Sequence, residues 1–179
     1  ASGQAQITNS NDALGAYFNF AKSRGTSVGS NTIVNDSDDL GVIDFHGNDG
    51  TDFVHAARIV ASVDGAPGGN DMPGRITFLT TADNGTSPTE RLRIDRAGSV
   101  GIDFTPKRMH ANVTSSLNVG SSSLFQRTNN SFVTSNFYYN TSDVGKSIAS
   151  GYGVMYSQNT ADGRHNFNVS AASAGSADA

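Results

Sequence analysis

Cysteine is absent from the 179-residue chain, which rules out a disulfide framework and a thiolate metal site and gives no sign of the redox compartment. Charge is scarce as well: Asp, Glu, Lys and Arg make up 16% of the residues, against about 25% in ordinary globular domains. Twelve Lys and Arg are dispersed along a chain of net charge −4 and pI near 5.4. The basic footprint that phosphate binding needs is therefore missing, and nucleic acid is not an expected partner. No apolar run approaches the roughly 18 to 20 residues of a membrane span and no signal peptide is visible, so membrane insertion is not expected. The sequence begins at Ala1, as a processed chain or an excerpt of a longer polypeptide would. Hydrophobic residues are only 36% of the total. A disulfide-free fold of 18.6 kDa with so thin a core is expected to draw stability from subunit contacts.

Ser, Thr, Asn and 20 glycines take the place of the missing charge, a mixture that favours strands and turns. Apolar residues recur at period two between turn clusters, the pattern of half-buried strands. Residues 14–20 put Leu14, Ala16, Phe18 and Phe20 on one face. Residues 40–45 lead into the turn His46-Gly47-Asn48-Asp49-Gly50. Residues 53–63 place Phe53, His55, Ala57, Ile59, Ala61 and Val63 together; an Ala-rich helix competes there, but the β-branched second half favours a strand. After the loop at 66–74, residues 75–81 and 90–96 read as a hairpin with Leu92 and Ile94 inward and Arg91, Arg93 and Asp95 outward. A short strand at 99–104 follows.

Past Pro106 the texture changes. Residues 107–130 hold few large apolar side chains, with Ser121-Ser122-Ser123 and Asn129-Asn130, and read as a connection. Strands resume at 131–139, 153–157 and 166–171, and 171–179 reads as a flexible tail or a lead into a further domain. The expected fold class is all-β, of short antiparallel strands and hairpins. The expected divisions are a β module over 1–106, the connection at 107–130, a second small β region over 131–170 and the tail.

Chemistry is sparsely signalled. Asp36, Asp38 and Asp39, with Asp44, Asp49 and Asp52 behind them, form the densest carboxylate run, and oxygen-rich loops can hold Ca²⁺. Their spacing does not fit an EF-hand, and Asp is a default turn residue, so turns are the preferred reading. Glu90 is the single glutamate, set among arginines that would lower its pKa and spoil it as a general acid. His46, His55, His110 and His165 show no metal-ligand spacing, and His55 is expected as a core or interface side chain. No nucleophile elbow or phosphate loop is present. Neither an enzyme nor a cofactor is expected. Tyr138, Tyr139, Tyr152 and Tyr156 are candidates for glycan or receptor contact, because rings stack on sugar faces; core packing is the competing reading.

The stretch Asn70-Asp71-Met72-Pro73-Gly74-Arg75-Ile76-Thr77-Phe78 is more specific. With Ser87-Pro88-Thr89-Glu90-Arg91-Leu92-Arg93-Ile94-Asp95 and Gly98-Ser99-Val100-Gly101-Ile102, it resembles a module of tail-fibre and related fibre proteins of tailed phages. Upstream, Ala21-Lys22-Ser23-Arg24-Gly25-Thr26 and Leu40-Gly41-Val42-Ile43-Asp44-Phe45-His46 resemble the same module in the same order, so the likeness spans residues 10–104. Asp103-Phe104-Thr105-Pro106 departs from the usual continuation. The resemblance implies a non-enzymatic protein of the virion exterior, an intertwined homotrimer in contact with other virion proteins, taking part in adsorption to a bacterial host and its surface glycan. In such a trimer Glu90, Arg91, Arg93 and Asp95 are candidates for inter-subunit pairs, against the simpler reading of a solvated strand face. A stand-alone carbohydrate-binding module is the alternative, and a polysaccharide depolymerase a more distant one.

Overall fold

The computed structural model describes residues 5–9, 11–107, 112–113, 115–140, 142, 144–170 and 173–174. His110 and most of the 171–179 segment lie outside them. Among the described residues there is no helix, and the chain is all-β. The strands are β1 (Asp39–Asn48), β2 (Phe53–Val63), β3 (Gly74–Thr80), β4 (Thr89–Ile94), β5 (Val100–Ile102), β6 (Ser116–Val119), β7 (Ser122–Arg127) and β8 (Asn130–Ser135), then β9 (Tyr138–Tyr139), β10 (Gly145–Lys146), β11 (Ser150–Gly151), β12 (Val154–Asn159), β13 (His165–Val169) and β14 (Ser173–Ala174).

Ten of these form one sheet in the order β1-β2-β3-β4-β5-β6-β7-β8-β12-β13. Local turn chemistry explains the sequential order. Between β1 and β2, the Asn48 side chain accepts the Gly50 N–H at 2.9 Å and Asp49 accepts those of Thr51 and Asp52 at 2.8 and 2.9 Å, so the turn is held by its own side chains. Between β4 and β5, Asp95 Oδ1 accepts the N–H groups of Ala97 and Ser99, both at 2.9 Å, and Gly98 supplies the positive φ of 76°. The hairpin expected from residues 75–96 is β3 and β4, paired antiparallel. The β5–β6 pair is parallel, so the chain crosses over between them. Two strands, β6 and β7, fall inside 107–130.

Residues 14–20 form no strand. Phe18 and Phe20 make an edge-on pair with centroids 4.8 Å apart, and the Phe20 ring lies where a side chain at Gly41 would stand. The alternation there is real, but among the described residues no neighbouring backbone takes up its hydrogen bonds.

One face of the sheet is covered by the chain's own connections. The segment after β5 folds back so that the Phe104 carbonyl and the Pro106 ring occupy the space over Gly101, leaving no room for a Cβ. The ring of Phe125 stacks on Phe132 at 4.9 Å, and Phe137 and Tyr139 close over this side in edge-on contacts. Beside the rings this covered face is polar. Asn118, 1% exposed, donates to Ser116 Oγ at 2.7 Å and accepts from Ser123 Oγ at 2.7 Å. Thr134 Oγ1 donates to the Phe137 carbonyl at 3.0 Å, tying the covering segment to the sheet.

Candidate interaction surface

The opposite face of the sheet has the reverse character. Residues paired across neighbouring strands share a face, and the registers align Ile43, Ile59, Phe78, Leu92, Ile102 and Val119 from β1 to β6. Two residues along β6, a second row runs Leu117, Leu124, Val133, Tyr156 and Phe167 out to β13. Among the described residues no Asp, Glu, Lys or Arg occupies a paired position on this face, though Arg91, unpaired at the β3–β4 register shift, reaches Thr80 on it; the strand charges Asp39, Asp44, Arg58, Arg75, Arg93 and Arg127 all lie on the other side. Yet among the described residues nothing covers the apolar face. Leu124 and Val133 are each 52% exposed and Phe167 is 83% exposed. Where β8, β12 and β13 meet, Val133, Val154, Tyr156, Phe167 and Val169 line an open groove of about 500 Å³.

At Ile94 and Arg93 the expected inward and outward sides are exchanged, while Arg91 is exposed as expected. Ile94 is exposed, whereas the Arg93 guanidinium is largely covered and donates two bonds to Glu90, at 2.7 and 2.8 Å. Alternation tells which side chains share a face; it does not tell which face the connections will cover.

The candidate side chains take the following places. Glu90 and Arg93 pair with each other. Arg91 donates to Thr80 Oγ1 at 3.2 Å and faces Asp103 at 3.9 Å, and Asp95 caps its own turn. Asp36, Asp38 and Asp39 diverge to three separate partners: the Gly65 N–H at 2.7 Å, the Arg24 guanidinium at 2.7 and 2.6 Å, and Ser62 Oγ at 2.9 Å. Hydrogen bonds from Arg24 and from the Asn35 N–H hold the Asp38 carboxyl well below the usual carboxylate range. Tyr138 is buried at 2% exposure, and Tyr139 belongs to the ring cluster, with Arg127 over its face at 5.1 Å. Tyr152 is 65% exposed. Tyr156 lies on the apolar face, its ring 4.9 Å from that of Phe167 and its hydroxyl 2.5 Å from His165 Nδ1.

One grouping was not anticipated from sequence. The β1–β2 pairing shifts register between Phe45 and His46 and sets His46 opposite His55. The shift takes His55 off the face of Ala57 and Ile59 and brings it beside Asp44, with Nδ1 3.0 Å from Asp44 Oδ1. The turn at 49–52 carries the signal for this pairing, because the two histidines are equidistant from its centre.

Among solved structures, the chain is similar to the carboxy-terminal domain of the bacteriophage T5 L-shaped tail fibre, at TM-score 0.49 and 10% identity over 93% of this chain and 86% of that one. The same domain with its intra-molecular chaperone domain matches at TM-score 0.49 and 11% identity, over 92% of this chain and 59% of that one. No protein-family model and no curated protein matches the sequence.

Proposed function

We propose that the chain is a non-enzymatic structural segment of a bacteriophage fibre, placed on the virion exterior, that assembles with two further copies of itself and supports or mediates attachment to the bacterial host. The observation that carries the self-association is the largely apolar face that crosses ten strands without a cover among the described residues. An exposed apolar surface of this extent marks an interaction site, and a second copy of the same face is its natural complement. The phage assignment is supported by the ordered series of fibre-like segments over residues 10–104. Three copies would gain reach and avidity toward a surface receptor. Tyr152, exposed and flanked by loop backbone, together with the rim of the Tyr156 groove, is the proposed place for a sugar to stack, while the Glu90–Arg93 pair serves within its own chain.

Light scattering behind size exclusion tests the assembly. The expected mass is three times the 18.6 kDa of one chain. A folded monomer would overturn the trimer and favour the stand-alone glycan-binding module.

A further inference from the structure

We propose that Asp44, His46 and His55 form a binding site for a divalent transition metal, of the Zn²⁺ or Ni²⁺ kind, that clamps β1 to β2 at the free edge of the sheet. One oxygen and two imidazole nitrogens are a ligand set that suits these metals and leaves positions for water. The three potential ligand atoms lie within 4.8 Å of one another. His55 Nδ1 is 3.0 Å from Asp44 Oδ1, and His46 Nε2 is 3.6 Å from Asp44 Oδ2. The imidazole rings are 4.2 Å apart between centroids and tilted by 45°, so their nitrogens can converge on one point.

The backbone supplies the second observation. Asp44 and His46 stand two residues apart on one face of β1, and the register shift beside His46 is what turns His55 onto that face. Bulges of this kind re-aim side chains at functional positions. All three side chains are between 25% and 36% exposed, open enough for an ion to enter and covered enough to keep their directions.

Arg58 sets the limit on affinity. Its Nε donates to Asp44 Oδ2 at 3.1 Å, and its Nη2 bonds the same oxygen and lies 3.2 Å from His55 Nδ1. A metal must take His55 from the guanidinium, while Arg58 can keep Asp44 Oδ2 and orient the carboxylate from outside. The like charge opposes the ion, so neutralising residue 58 should tighten binding.

Calorimetric titration of ZnCl₂ into the full chain, in the oligomeric state it adopts, tests the site, with thermal melts alongside. The expected result is one Zn²⁺ per chain and a raised Tm. The H46A and H55A variants should each lose at least tenfold in affinity, and R58Q should gain about tenfold. The melts establish that each variant is folded without metal. Absence of binding to the unaltered chain below millimolar Zn²⁺ overturns the proposal whatever R58Q does, as does binding that persists undiminished when both histidines are replaced.

Discussion

At the residue scale, Asp38 is the clearest ionic anchor. It receives Arg24 at 2.7 and 2.6 Å, the Asn35 N–H at 3.0 Å, and Lys22 at 3.7 Å. A carboxyl whose folded pKa lies below the unfolded value of about 3.9 contributes stability that is complete above that value and disappears as pH falls through the folded one. The protein should therefore weaken as the pH drops below about 4. Melts between pH 6 and 2 should show a shallower acid decline in Asp38→Asn than in the unaltered chain; parallel declines would mean that the Arg24 contact does not persist in solution. Single residues were unequally legible. Asp38 read as one of a carboxylate run because its partner, Arg24, sits on a separate loop. Asn118 gave no sign of burial, since an amide enters a core only when the Ser116 and Ser123 hydroxyls are already placed there.

At the element scale, β2 to β5 and β8, β12 and β13 follow from period two and turn residues, and β2 spans the expected 53–63. The strands β6 and β7 do not announce themselves. On their covered side they carry Ser116, Asn118, Ser123 and Phe125, and on the other Leu117, Val119 and Leu124, so the usual contrast between apolar inside and polar outside is inverted and a composition reading finds a linker. The same inversion yields a test. For a monomer, Val133→Glu is an exposed change on a strand and should alter stability by no more than about 0.5 kcal/mol. In the trimer it places a carboxylate inside an apolar contact, where an unpaired charge is strongly unfavourable. The expected outcome is a chain that scatters as a monomer with a lowered Tm. An unchanged trimeric mass would remove this face from the contact.

For the whole molecule, the accessible surface decides how the sheet must be understood. The chain exposes 11891 Å², whereas a compact monomer of this mass exposes roughly 8,200 Å². Among the described residues, β1 and β13 end the ten-stranded sheet without a further strand beside them, and every residue of β13 is exposed. A single layer with one bare apolar face and two open edges leaves unburied the area that a second layer would cover. The sequence held half of this: low hydrophobic content foretold a thin core, but the continuity of the bare face depends on nine successive strand registers between β1 and β13, which composition does not show. If folding and association are one process, the melting temperature must depend on concentration. Unfolding one trimer releases three chains, so a tenfold rise in protein should raise its unfolding free energy by about 2.7 kcal/mol. Scanning calorimetry across a hundredfold range should show Tm climbing steadily, while a constant Tm would mean that the isolated chain holds itself together and that the apolar face meets its partner only after folding is complete.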